Sequence, residues 1–163
     1  LLAAEVIGRD PSNYLQYLII DRGAEDGIRR SLPVLTDAGL VGRISQVSKN
    51  ASKFLLITDS SSSVSCFIQR SRATGITQGH LGSDLIMRYI PQDETVVSGD
   101  VILTSGLGGN FPKRLVVGQV GEVQRADEEM FQEATVVPAV NLRDLEAVLV
   151  LLNFTSVDMP EGE

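Results

Sequence analysis

Tryptophan is absent, and cysteine and histidine occur once each in 163 residues. The lone Cys66 excludes an internal disulfide and leaves the redox compartment open. One histidine, one cysteine and no closely spaced ligand set cannot build the usual zinc site, and no Asp-rich loop follows the calcium-binding pattern, so no metal is expected. No apolar run approaches the ~18 residues that carry a helix across a bilayer. The start, Leu1-Leu2-Ala3-Ala4, has neither an initiator Met nor a basic segment, so the chain reads as a soluble piece whose membrane segment or signal, if any, lies upstream. Positive charge is also in short supply. The balance of 14 Lys and Arg against 21 Asp and Glu leaves a net charge of −7, which disfavours nucleic acid because phosphate binding depends on clustered cations. The pairs Arg29-Arg30 and Lys113-Arg114 are too scattered to reverse that. Helical periodicity is nearly missing as well.

What the chain has is short apolar, β-branched runs separated by Gly, Pro, Asn, Asp and Ser, the pattern of an all-β fold. Strands are predicted at Ala3–Ile7, Tyr17–Asp21, Val34–Thr36, Leu40–Val47, Phe54–Thr58, Val64–Gln69, Thr74–Gln78, Leu85–Ile90, Val101–Thr104, Val116–Val123, Ala134–Val140 and Ala147–Leu152. Only Glu128–Gln132 and Asn141–Leu145 suggest single helical turns, the second with Asn141 as its cap.

The most informative stretch is Thr104 to Val120, TSGLGGNFPKRLVVGQV, where a glycine-rich turn closed by Phe111-Pro112 joins two strands. Gly27 to Val47 holds a fainter copy. Val34-Leu35-Thr36, Gly39-Leu40 and Val41-Gly42-Arg43-Ile44 answer Ile102-Leu103-Thr104, Gly106-Leu107 and Val117-Gly118-Gln119-Val120. Aligning the copies pairs Ala3–Ile7 with Thr74–Gln78, Tyr17–Asp21 with Leu85–Ile90, and Phe54–Thr58 with Ala134–Val140. Two strands are left over. Val64–Gln69 is expected to form a hairpin with Thr74–Gln78 through Arg70-Ser71-Arg72, and Ala147–Leu152 to return beside Ala3–Ile7. Closing both sheets into six-stranded barrels related by the repeat removes exposed edges. The expected division is 1–60 plus 142–155 for the first barrel and 61–141 for the second, with the serine run Ser60–Ser63 between the repeats and a flexible acidic tail at 156–163.

Such a double barrel is reminiscent of the chymotrypsin-like hydrolases, whose triad needs a base beside a nucleophile. His80 would have to be the base, yet it falls in the second repeat, whereas that protease fold carries its histidine in the first barrel. A turn histidine is the better reading. Cys66 alternates with Ser65 and Phe67 in an apolar strand and reads as a small buried hydrophobe rather than half of a Cys-His pair. Gly106, Gly108 and Gly109 suggest a phosphate cradle, but a cradle delivers the chain into a helix N-terminus and these deliver it into Phe111-Pro112 and the strand-like Leu115-Val116-Val117. The acidic neighbours Glu25-Asp26, Asp93-Glu94 and Glu128-Glu129 read as solvated surface rather than a glycosidase pair.

Several motifs occur together in order: Ile20-Asp21-Arg22-Gly23 with Asp26-Gly27-Ile28, Pro33-Val34-Leu35, Gly39-Leu40-Val41-Gly42-Arg43-Ile44, Leu55-Leu56-Ile57-Thr58-Asp59, and Gly99-Asp100-Val101 leading into Thr104-Ser105-Gly106-Leu107-Gly108-Gly109 with Phe111-Pro112. From about Ala3 to Leu152 the chain resembles the family of the rod-shape-determining protein MreC. One departure is Arg114, where the family's Phe-Pro-Lys/Glu step commonly continues with Gly.

The resemblance implies a pair of β-barrels on the extracytoplasmic, periplasmic face of the bacterial cytoplasmic membrane, anchored by an N-terminal transmembrane helix and preceded by a coiled coil, neither present in this sequence. It further implies a noncatalytic scaffold with no cofactor, which self-associates, binds peptidoglycan synthases including a class B penicillin-binding transpeptidase, and reaches MreB and MreD through the missing segments. A hydrolase on the same barrels and an envelope ligand- or glycan-binding module are the alternatives. Gly39, Gly42, Gly99, Asp100, Thr104, Ser105, Gly106, Gly108, Gly109, Pro112 and Gly118 are expected to shape the barrels and their turns. Phe111 is expected either to pack between the barrels or to face a partner, and packing is the better reading because a large aromatic gains most from burial.

Overall fold

A computed structural model describes residues 1–10, 16–80, 84–125 and 130–155. The strands, in chain order, are β1 (Leu2–Arg9), β2 (Tyr17–Ile20), β3 (Pro33–Leu35), β4 (Leu40–Val47), β5 (Ser52–Leu56), β6 (Ser63–Ile68), β7 (Thr74–His80), β8 (Asp84–Pro91), β9 (Val101–Thr104), β10 (Val116–Gln124), β11 (Phe131–Pro138) and β12 (Ala147–Val150). Period-two alternation decides which side of each strand is buried. In β6, Val64, Cys66 and Ile68 turn inward; in β11, Gln132, Ala134 and Val136 do so while Glu133 and Thr135 face outward.

The strands close into two six-stranded antiparallel barrels, β1-β12-β3-β4-β5-β2 and β10-β11-β8-β7-β6-β9. Read around the ring from β7, the second barrel runs β7-β6-β9-β10-β11-β8, the order that the repeat maps onto β1-β12-β3-β4-β5-β2. The sixth position of each ring is filled from outside its own repeat. β12 crosses back to lie between β1 and β3, pairing Leu2 with Val150 and Leu149 with Leu35. β6 forms the expected hairpin with β7, opposing Cys66 to Gly75, and the turn is closed by hydrogen bonds from Arg72 N to Ile68 O and from Ile68 N to Ala73 O, each 2.8 Å.

Each barrel is filled by large apolar side chains: Leu18, Ile20, Val34, Phe54 and Val150 in the first, Ile68, Met87, Ile90 and Ile102 in the second. Complete burial of one such side chain contributes about 1.5–3 kcal/mol. The two cores merge into one apolar cluster. The barrels also touch through backbone. A Cβ at Gly39, before β4, would lie 2.4 Å from Val116 O of β10, and one at Gly79, in β7, would lie 2.0 Å from Asp59 O.

Helical turns are the main local departure from expectation. Asn141–Leu145 is an irregular turn rather than a helical one. Asn141 still supplies its side-chain oxygen, accepting from Arg143 N at 3.2 Å, while its amide donates to Asp144. That short-range bond satisfies the backbone without requiring a helix to follow. The Glu128–Gln132 turn lies partly outside the described residues; its last residues, Phe131 and Gln132, open β11. A 3-10 turn at Ala24–Asp26 was not foreseen. It is held by Gly23 N donating to Asp26 Oδ2 at 3.0 Å. The tail 156–163 lies outside the described residues.

Candidate functional site

The glycine-rich connection between β9 and β10 is built around one hydroxyl. Thr104 is fully buried; its Oγ1 donates to Pro112 O at 2.6 Å and accepts from Leu115 N at 2.9 Å. Its backbone N–H donates to Leu115 O and its C=O accepts from Arg114 N, both at 2.8 Å. The two ends of an eleven-residue loop, 105–115, are therefore clamped at a single residue. Within the loop Ser105 Oγ accepts from Leu107 N at 3.2 Å. Gly106, Gly108 and Gly109 have φ of 76°, 82° and 72°, the left-handed region that costs other residues about 1–2 kcal/mol. Arg114, at the departure from the family pattern, has φ 66° and so adopts the conformation that glycine would take there. Phe111 is 7 % exposed and packed into the core cluster, while Leu107 at the tip is 65 % exposed.

Gly99 and Asp100 organise the approach to β9. Asp100, buried, accepts from Arg70 Nε at 2.8 Å, Arg70 Nη2 at 2.9 Å and Val97 N at 2.9 Å, a bidentate pair across the β6–β7 and β8–β9 connections. The Arg70 guanidinium and the Val97 amide hold its carboxyl below the usual range despite burial. Gly99 has φ 90° and donates to Val120 O at 2.8 Å, tying this turn to β10. Asp59, in the turn after β5, is also depressed: burial pushes it up, and bonds from the Ser61 hydroxyl and from the Gln16 and Ser61 amides outweigh that push.

Gly42 and Gly118 occupy equivalent positions in β4 and β10. A Cβ at Gly42 would lie 2.0 Å from Leu55 O, and one at Gly118 would lie 2.1 Å from Val137 O. The predicted set thus divides. Thr104, Ser105, Gly106, Gly108, Gly109, Phe111 and Pro112 form one loop; Gly99 and Asp100 support the strand leading into it; Gly39, Gly42 and Gly118 lie on strands or turns elsewhere.

Cys66 and His80 lie apart on the second barrel. Cys66 points into the core, and burial pushes its thiol up to about 11. Cys66 faces Gly75 in β7, five residues along from the exposed His80, a separation of roughly 16 Å at strand spacing.

One feature gave no signal in the sequence. In the β8–β11 pairing Gln132 opposes Ile90 and Ala134 opposes Met87, so Glu133 faces both Arg88 and Tyr89. This bulge puts Tyr89 at φ 62° and turns its ring outward, 52 % exposed. The ring meets Phe131 edge-to-face at 5.8 Å, beside the exposed Met130. Bulges commonly re-aim a side chain, and residues held in sparsely populated backbone regions cluster at functional sites.

The profile of the family described as "Rod shape-determining protein MreC, barrel core" matches residues 6–152. The chain belongs to the MreC family. The cell shape-determining protein MreC of Listeria monocytogenes is 33 % identical over 156 residues, covering 92 % of this chain and 52 % of the relative. Its Escherichia coli counterpart is 30 % identical over 151 residues, covering 92 % of this chain and 41 % of the relative. The chain therefore spans about half, or less, of the length of these relatives. The crystal structure of MreC from Pseudomonas aeruginosa superposes with a TM-score of 0.88 at 32 % identity, over 92 % of this chain and 97 % of that one. The major periplasmic domain from the cell shape-determining filament MreC gives 0.77 at 26 % identity, over 90 % and 92 %. A complex of Penicillin-Binding Protein (PBP2) and MreC from Helicobacter pylori contains a chain that shares the fold, with a TM-score of 0.68 at 15 % identity over 90 % and 96 %. Relatives in the MreC family are named for cell shape and not for a reaction. Among the described residues no helix is long and apolar enough to cross a membrane.

Proposed function

We propose that this chain is the periplasmic scaffold domain of a cell-elongation assembly, a noncatalytic module that binds a class B penicillin-binding transpeptidase and other copies of itself. The longer protein holds it at the outer face of the cytoplasmic membrane through an N-terminal helix, and reaches MreB and MreD through segments outside this sequence. Its two units are 1–60 with 142–155, and 61–141. The observation that carries the partner reading is the outward aromatic pair Tyr89 and Phe131 with Met130 on the second barrel. Exposed aromatics and methionine are the residues enriched in the buried centres of protein interfaces. A family member's complex with PBP2 supplies the class of partner.

The test is binding of the purified transpeptidase to immobilised chain. Tyr89→Ala and Phe131→Ala are each expected to weaken binding at least tenfold while leaving the melting temperature within a few degrees, with His80→Ala as the neutral control. Undiminished binding by both aromatic variants defeats this surface, and labelling by a serine-reactive probe defeats the noncatalytic reading. For self-association, the chain alone is expected to be mainly monomeric at micromolar concentration, and to dimerise more strongly in the full-length protein. Linkage through a coiled coil raises effective concentration and turns modest contacts into stable ones. Sedimentation equilibrium compares the two. A nanomolar dimer of the chain alone would place self-association in the barrels.

A further inference from the structure

We propose that the smaller cleft between the barrels is a binding site for a small organic oxyanion, a carboxylate or phosphate on a compact group. The cleft, about 370 Å³, lies between the outward side of β4, the serine run before β6 and the Phe111 end of the glycine-rich loop. Its polar lining includes Arg30, Arg43, Ser31, Ser62, Ser63 and Asn110, and it contains no Asp or Glu. That is a net positive cavity in a chain of net charge −7.

Neither guanidinium is neutralised by an ion pair among the described residues. Among the described residues the ion pairs join Lys49 to Glu25, Arg70 to Asp100 and Arg88 to Glu133, and none involves Arg30 or Arg43. Arg43 spends one donor on Ser31 Oγ at 3.2 Å. A guanidinium has five donors in a planar fork, a geometry that matches carboxylate or phosphate oxygens two at a time. Ser31 is itself held at φ 75°, a strained backbone that presents its hydroxyl to Arg43. The Ser61 hydroxyl is committed to Asp59, and that of Ser45 to Lys53 O at 3.2 Å. Ser62, Ser63 and Asn110 make no side-chain hydrogen bond within the described residues, so their donors are available to a ligand. Phe111 supplies an apolar wall, and the volume is at the lower end of the ~300–1,000 Å³ typical of small-molecule sites.

The larger cleft, about 760 Å³, lacks this bias because Arg9 and Arg143 share it with Asp10 and Asp84. Two motifs left without a role by the family reading, the Ser60–Ser63 run and the Arg29-Arg30 pair, each contribute to the smaller cleft's lining.

The experiment is an amide NMR titration of the chain with inorganic phosphate and, separately, with butyrate, at ionic strength matched by chloride. The expected result is saturable shifts at Ser31, Arg43, Ser62, Ser63 and Asn110 with at least one probe, and at least tenfold weaker binding in Arg43→Gln and in Arg30→Gln. Saturation by phosphate alone assigns a phosphate ligand, and saturation by butyrate alone assigns a carboxylate. Because Arg30 is exposed, Arg30→Gln keeps the test intact should Arg43→Gln misfold. No saturable shift with either probe, equal affinity in the Arg30→Gln protein, or shifts centred outside the cleft would overturn the proposal.

Discussion

The two barrels share a ring order and a glycine at the same close approach, yet the turns at the corresponding place differ greatly in length. In the first barrel β3 reaches β4 through four residues, 36–39; in the second, β9 reaches β10 through eleven, 105–115. A threonine stands at the entry to each: Thr36 is the first residue of the shorter turn, and Thr104, the last residue of β9, leads into the longer one. Thr36 Oγ1 accepts from Ala38 N at 3.1 Å in an exposed turn, whereas buried Thr104 clamps both ends of the longer loop. The shared parts are those that the backbone cannot do without, and the divergent part lies where the chain meets the cleft between barrels. A barrel closed on every edge tolerates variation in its connections because the ladders, rather than the turns, hold it together.

The strongest way to break this comparison is to fill the shared close approach. Gly42→Val and Gly118→Val each drive a side chain into a carbonyl oxygen of the neighbouring strand, where backbone must move. Each is expected to lose about 3 kcal/mol or more, by the mechanisms of overpacking and displaced ladder bonds. Thermal denaturation followed by circular dichroism should give losses of similar size; a mild loss in only one barrel would show that the repeat is equivalent in sequence but not in mechanics.

The threonine pair sharpens the contrast. Thr104→Val leaves Leu115 N without its buried acceptor, at about 1–3 kcal/mol, while Thr36→Val at the exposed turn costs at most a few tenths. Urea titration of both variants measures the difference, and equal losses would refute the clamp.

Acid should unfold the second barrel's support through Asp100. Its folded carboxyl lies below the ordinary value, so the folded state binds fewer protons than the unfolded one near pH 4. The stabilisation is therefore fully present above about pH 4 and is lost as pH falls through the folded value. Asp59 contributes in the same direction from the linker side. Urea midpoints from pH 7 to 3 should decline in the wild type and decline less steeply in Asp100→Asn; parallel curves would show that the Arg70 pair adds nothing to acid sensitivity.

The smallest effect concerns Arg114. Relieving its left-handed backbone with Gly gains about 1–2 kcal/mol, and the added freedom of glycine in the unfolded chain takes back about 0.5–1. Arg114→Gly is expected to raise stability by about 0.5 kcal/mol, with no counterpart at the shorter turn. A loss on substitution would show that the Arg114 side chain contributes more than its backbone costs.

The twelve strands of the described residues and both closures were legible in the sequence, because alternation of apolar residues and the placement of turn residues are local signals with a fixed period. Strand ends were less so: β5 begins at Ser52 and stops at Leu56, and β11 begins at Phe131, since ladder pairing with neighbours decides where a strand stops. The glycine-rich loop announced itself through composition. Asp100 was recognisable as a motif residue, but its partner Arg70, thirty positions away, was not.

The sequence by itself determined the strand pattern and the repeat, since each follows from neighbouring residues and backbone sterics. Only the tertiary structure decided that Phe111 is buried, that a bulge turns Tyr89 outward beside Phe131, and that Arg30 and Arg43 line one cavity with no ion-pair partner among the described residues. Those outcomes depend on register between strands and on how the two barrels meet, and a one-residue change of register alters what a side chain faces without altering the pattern that made the strand.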